Sequence, residues 1–222
     1  MKKTIEKNST KQSILTNAIQ LFYQLGYKKT TIRKIADLTG ISHVSIFWHY
    51  KNKEDIALHL IQRYLKGLIS LTKEYSKIHP NESKSLFYWT AHYYFVTSDE
   101  NFGLFFVEFA RNSNESFITL MTDFYDEFVE IFNYNNTEVE LYIDMQIISQ
   151  IDLILIESCR NKKIKATQAI QYMTKNLIHL SSGKDAYSTK EIDFFAENFC
   201  PSNLKRYSIL EDFLLAGFEN DN

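Results

Sequence analysis

The sequence predicts an all-α protein, with a small N-terminal three-helix domain followed by a larger helical body. Three observations carry that prediction. The 222 residues contain only 6 Gly and 2 Pro, and the strand-like alternation of Val, Ile and Thr is largely missing. Apolar residues recur at spacings of three and four. The length suffices to bury a core without disulfides or metals.

Residues 1–9 are polar and are expected to fray. The first helix is predicted over 10–25, where Ile14, Ala18, Leu21, Phe22 and Leu25 form one stripe. Gly26 follows where a left-handed C-terminal cap is wanted. A second helix starts at Thr30 or Thr31, either of which can cap it. It turns Ile32, Ile35, Ala36 and Leu38 inward and Arg33, Lys34 and Asp37 outward. Gly40 ends it, Ile41 plugs the turn, and Ser42 caps a third helix over 43–49. In that helix Val44 and Phe47 share one face, and Ile46 and Tyr50 another. Asn52 caps a long fourth helix whose first turn carries Glu54 and Asp55, as the helix dipole prefers. Its stripe of Ile56, Leu60, Ile61, Tyr64, Leu65 and Leu68 leads to an end near Lys77, with Pro80 as punctuation. No linker precedes this helix, so it can transmit rotation between head and body.

The body reads as helices over 82–97, 100–111 and 115–132, then a polar turn at 133–136. Thr137 and Glu140 form a capping box for a helix over 137–160. Another helix spans 166–180. Ser188 and Glu191 open a short one ending near 198, and a last amphipathic helix over 203–216 follows Pro201. The predicted domains are 1–55 and 56–222.

Charge divides along the same line. Residues 1–55 hold 10 Lys/Arg against 4 Asp/Glu, while 56–222 hold 15 against 23. A basic head on an acidic body points to a polyanionic partner for the head alone.

The stretch 30–53 reads as a helix-turn-helix, a unit that places its second helix in the DNA major groove. Ser42, His43 and Ser45 are polar and sit near that helix's N-terminus, and Val44 suits a thymine methyl. Lys51 and Lys53 follow where a phosphate backbone would pass, and Arg33 projects from the preceding helix. Phe47, Trp48 and Tyr50 can alternatively be the small domain's core, and His49 a helix-end cap. The spacing of Thr31, Ile35-Ala36, Gly40-Ile41-Ser42, Phe47-Trp48-His49-Tyr50 and Lys53-Glu54 resembles the DNA-binding domain of the TetR family of bacterial regulators. The resemblance covers about a quarter of the chain. It implies phosphate contacts by Thr31, His49 and Lys53, and a groove face of Arg33, Ser42, His43, Val44, Ser45 and Phe47. Phe47 departs from the family pattern, which has Tyr there, so a hydroxyl contact is missing.

A single recognition helix has little surface for specificity, so two half-sites and a homodimer are expected on a palindromic double-stranded operator. The helix over 137–160 is apolar nearly all round, which demands cover on two sides. It is paired with 166–180 as the dimer interface, represented by Ile148, Asp152, Ile156 and Tyr172; a fully buried helix in a monomer is the alternative. The resemblance implies the same four-helix bundle. Rings on three adjacent helices, with Trp89, His92, Phe105, Phe109, Phe124, Tyr125 and Phe128 among them, are read either as plain core or as a pocket for a small hydrophobic or aromatic effector. The resemblance favours the pocket.

Catalytic signatures are missing: the chain has no Gly-rich phosphate loop, nucleophile elbow or His-Glu-x-x-His, so it is expected not to be an enzyme. No cofactor and no metal are expected, since the histidines lack ligand spacing and Cys159 and Cys200 stand far apart. Free thiols, a basic N-terminus without an apolar h-region, and no apolar run of bilayer length lead to the expectation of a cytoplasmic protein. The resulting expectation is a transcriptional repressor released by a small effector. Its alternatives are a similar DNA-binding protein controlled by a protein partner and a DNA-targeted enzyme.

Overall fold

Among the described residues of the computed structural model, 2–133, 137–177 and 190, the chain is helical and contains no strand. The predicted all-α class is correct. The helices are α1 (Lys2–Lys29), α2 (Ile32–Thr39), α3 (His43–Ile46), α4 (Lys53–Ile78), α5 (Lys84–Ser98), α6 (Glu100–Asn112), α7 (Asn114–Thr122), α8 (Tyr125–Phe132), α9 (Glu138–Arg160) and α10 (Ala166–Leu177). The predicted end of the 166–180 helix, the helices placed over 188–198 and 203–216, and Cys200 lie outside the described residues.

Local chemistry sets the boundaries. Thr31, Ser42, Asn52, Ser83 and Asp99 each accept a backbone N–H of the first turn they precede, satisfying donors that a helix start leaves open. Thr137 and Glu140 form the predicted reciprocal capping box. Of the two candidate caps for α2, Thr31 serves. Thr30 is fully buried and donates its hydroxyl proton at the carbonyls of Gly26 and Leu21.

Three helices and one side chain differ from expectation. α1 runs on to Lys29 but is broken by Gly26 at φ 77°, ψ 175°; a Cβ there would also sit 2.7 Å from Glu108 Oε2. α3 is only His43–Ile46, because Phe47, Trp48 and His49 close tighter turns back to Val44, Ser45 and Ile46. The single helix predicted over 115–132 is two, α7 and α8. Between them Phe124 leaves helical geometry (φ −100°, ψ 24°) with its ring buried. Leu38, expected inside, is 45% exposed.

One core runs through all the helices but α3's outer face. Ile14, Ala18 and Phe22 of α1 meet Ile35, Ile46, Tyr50 and Ile56 in the head. Phe22 then packs at a tilt against Phe105 of α6 (ring centres 5.1 Å) and Tyr27 edges onto Phe109 (5.4 Å). The boundary expected at 55/56 therefore falls in the first turn of α4, with buried contacts passing either side of it. Polar ties cross the same junction: Tyr23 Oη donates to Asp99 Oδ2 (2.7 Å), Lys28 N to Glu108 Oε2 (2.8 Å) and Ser116 Oγ to Glu54 Oε1. α6 is thus the body helix that holds the α1–α2 link.

Candidate nucleic-acid interface and the body behind it

The outward side of α2 and α3 is assembled by the inward side. Ile35, Ala36, Ile46 and Tyr50 are buried, and each turn of helix that buries them presents its opposite face. That face carries Arg33, His43, Val44 (53% exposed), Phe47 (51%) and Trp48 (73%). The face-sharing predicted for Val44 with Phe47, and for Ile46 with Tyr50, thus appears as outside and inside. Tyr50 belongs to the core, its hydroxyl donating to Lys11 O and Lys11 Nζ lying over its ring. Trp48 does not, and the sequence offered no way to separate two adjacent rings of similar bulk.

Ser42 Oγ caps α3 by accepting from Ser45 N (3.1 Å) and lies 2.8 Å from Ser45 Oγ. Both hydroxyls therefore stand at the same helix end, Ser42 exposed and Ser45 half-buried. Thr31 is exposed, and its Oγ1 accepts from Lys34 N (3.2 Å), leaving the hydroxyl proton to donate outward. His49 is half-buried at the foot of α3.

Lys53, expected at a phosphate, is engaged within the chain. Its Nζ donates to Tyr27 O (2.8 Å) and Thr30 O (3.1 Å) and lies 3.9 Å from the centre of the Tyr27 ring. Burial lowers its pKa, and Glu108 partly opposes that. The ammonium ties the start of α4 to the carbonyls that end α1, groups a broken helix leaves open. The sequence placed a lysine at the right helix end but could not tell carbonyl from phosphate.

In the body, the expected effector residues are buried or half-buried. Phe105 and Phe109 are 1% and 0% exposed, Phe128 1%, His92 3%, Trp89 5% and Phe124 6%; Tyr125 is half-buried. Their rings pack edge to face or tilted, as Tyr88 on Phe128 (5.9 Å) and Phe106 on Phe117 (5.6 Å). Two clefts among the described residues are lined by none of them. One, of about 340 Å³, lies between α6, α7 and α9. The other, about 390 Å³, lies between α4 and α7 and carries Asp55, Glu115 and Asp123. No described group of His, Cys, Asp and Glu is arranged to hold a metal ion. Cys159 is half-buried, and burial with the nearby Asp152 charge pushes its thiol up to about 11, away from reactive territory.

The interface residues need correction as well. Ile148 (4% exposed), Asp152 (7%) and Ile156 (0%) face the protomer's own core. The outward stripe of α9 is Val139, Tyr142, Ile143, Ile147 and Ile154, at 44–70% exposure, with Tyr172 of α10 at 49%. That this helix is apolar nearly all round was visible in the sequence; which half faces inward was not, because both halves are isoleucine-rich.

Asp152 instead completes a buried chain. Tyr64 Oη of α4 lies 2.7 Å from His92 Nδ1 of α5, and His92 Nε2 lies 3.0 Å from Asp152 Oδ2 of α9. Burial pushes the Tyr64 phenol well above its ordinary range, so it stays protonated and can donate to Nδ1. No described helix is long and apolar enough to cross a membrane.

Comparison with known proteins agrees with the geometry of the head. The profile of the family described as "Bacterial regulatory proteins, tetR family" matches residues 14–60. The chain is 31% identical over 81 residues to the HTH-type transcriptional regulator AcrR of Shigella flexneri, covering 36% of this chain and 38% of that one. It is 44% identical over 46 residues to the negative transcriptional regulator IcaR of the biofilm operon icaADBC in Staphylococcus epidermidis, 21% and 25% of the two chains. The matches thus span well under half of the relatives' lengths. The solved structure of the fatty acid degradation regulator FadR from Bacillus halodurans aligns over 80% of this chain and 97% of its own, at 17% identity and a TM-score of 0.44.

Proposed function

We propose, from the premise that this chain belongs through residues 14–60 to the TetR family of bacterial regulatory proteins, that it represses transcription as a homodimer and leaves its operator when a small effector binds the body. The carrying observation is the outward face of α2 and α3. It joins Arg33, His43, Val44, Phe47 and Trp48 as exposed side chains, with Thr31 and Ser42 hydroxyls at the two helix starts. That surface matches what a groove requires: flat and short side chains for base edges, donors at the rim for phosphates. Repression is the sign carried in the printed names of relatives such as IcaR. Thr31, Arg33, Ser42, His43, Val44, Ser45, Phe47 and His49 form the proposed contact set, with Trp48 added. Lys53 acts through the α1–α2 link.

The outward stripe of α9 supports dimerisation. Five large apolar side chains on one helix face, with Tyr172 beside them, form a patch that a second copy can cover with its own equivalent. Effector binding would act on DNA through α4 and α6, which hold the head directly. The closed ring cluster supports a second reading, in which a protein partner rather than a small molecule controls the body. Gel retardation tests the primary reading. The protein should retard its own gene's upstream region in preference to random DNA, with affinity falling steeply with salt; equal retardation of both would sink it.

A further inference from the structure

We propose that the cleft between α6, α7 and α9 binds a small amphipathic carboxylate, with Arg111 as the anion partner. The inference rests on the effector-controlled reading above and gives the effector a chemistry. At about 340 Å³, the cleft falls in the lower part of the range that small-molecule sites occupy. Its floor is apolar: Leu153 and Ile118 are 1% and 3% exposed. Its rim is polar, from Arg111, Asn114, Gln146 and Gln150. Gln150 Nε2 donates to Asn114 Oδ1 (2.7 Å), so the rim amides are tied across from α9 to α7.

Arg111 is already held in the orientation such a site needs. Its Nε and Nη2 donate to the two carboxylate oxygens of Glu157 at 2.6 and 2.5 Å. A guanidinium is planar and offers two edges that match a carboxylate. Glu157 fills one and fixes the plane. The second edge, led by Nη1, donates to no described residue. A ligand carboxylate on that edge would place its hydrocarbon on Leu153 and Ile118 and any further acceptor at the glutamine amides. Each rival class leaves something unmet. A cation meets the guanidinium, a pure hydrocarbon buries the rim amides without partners, and an inorganic anion leaves the floor wet. The positive charge of Lys28 also reaches Glu157, offsetting the added negative charge.

The position gives the site leverage. Arg111 lies one helical turn from Glu108, whose carboxylate accepts from Lys28 N in the head, and two residues from Ser113, which meets the Tyr27 hydroxyl at 3.4 Å. A ligand that shifts Arg111 shifts the end of α6 that clasps the α1–α2 link.

Thermal-shift and calorimetric titrations of the full chain test this, with sodium hexanoate and sodium benzoate as probes and hexanamide, sodium acetate and sodium sulfate as controls. Hexanoate or benzoate should raise Tm saturably, and Arg111→Gln should weaken that binding at least about tenfold, about 1.4 kcal/mol. If Arg111→Gln does not fold, Arg111→Lys, which keeps the charge and loses the paired edges, should show the same loss. No saturable response, or an equal one in the Arg111 variant, overturns the site. Acetate or sulfate binding as tightly as hexanoate overturns its amphipathic character. Gel retardation in the presence of hexanoate separates the two proposals: DNA retardation without hexanoate binding sinks the site alone, whereas hexanoate binding without any specific retardation sinks the repressor reading.

Discussion

His92 Nε2 lies 3.0 Å from Asp152 Oδ2 with both side chains less than a tenth exposed, so α9 is pinned to α5 from inside the protomer. The pair extends through His92 Nδ1 to Tyr64 on α4, the helix that carries the head. With Tyr64 donating to Nδ1, His92 meets Asp152 through its Nε2–H, and the buried imidazole and carboxylate satisfy each other. Removing one partner leaves the other stranded. Asp152→Ala is therefore expected to destabilise the fold by about 1–3 kcal/mol, the cost of a buried donor left without a partner, read as a fall in the urea midpoint. Its dimer dissociation constant, measured by sedimentation on the folded fraction, should not move. A loss of dimer with full stability would return Asp152 to the interface.

Lys53 gives the second prediction, because its two alternatives differ in what salt does. With its ammonium on the Tyr27 and Thr30 carbonyls, Lys53→Met should destabilise the protein by about 1.5–3 kcal/mol, the range for hydrogen bonds to a charged group. The lower end is favoured, since the side chain is only half-buried. The slope of log affinity against log salt should stay as in the wild type. A slope reduced by about one would mean that the lysine neutralises a phosphate after all.

How far the sequence reached follows from what each signal measures. Periodicity located most of the described helices to within a few residues, because the spacing of apolar side chains is a local property; it missed the polar start of α1 and the break between α7 and α8. Caps at Thr31, Ser42, Asn52 and Thr137 were legible for the same reason. Orientation was less so. α9 is apolar on both faces, and only packing against α5, α7 and α10 decides that Ile148 points in while Ile147 points out. The ring cluster was visible as composition, but core and pocket have the same ring content; only the packing distinguishes them. The cleft at Arg111 draws on six residues of three helices separated by up to 42 positions, and no spacing rule joins Arg111 to Leu153.

The reversed faces of α9 supply the third prediction. Ile147 is 44% exposed and Ile148 4%. Ile147→Glu should leave the thermal unfolding of the protomer largely intact and dissociate the dimer, seen as a halved mass in sedimentation. Ile148→Glu should instead fail to fold, since it buries a carboxylate in the core. If both variants stay dimeric and stable, the stripe is not where two copies meet.

The recognition surface supplies the last. Phe47 and Trp48 are 51% and 73% exposed beside the α3 cap, large apolar area that the head gains nothing by showing to water. Stacking or methyl contact in the groove accounts for it. Trp48→Ala should therefore weaken binding to the preferred DNA about tenfold, within the roughly 1–3 kcal/mol range of an aromatic contact, without lowering Tm. Phe47→Tyr adds a hydroxyl at an exposed position where it can reach a phosphate, and should tighten binding by about 0.5–1.5 kcal/mol, the net worth of one hydrogen bond. Trp48 also reports on itself. In a Trp89→Phe variant it is the remaining tryptophan, and its emission should change saturably as DNA is added. An emission unchanged by DNA that the protein demonstrably binds would place Trp48 outside the contact surface, and the groove face would then end at Phe47.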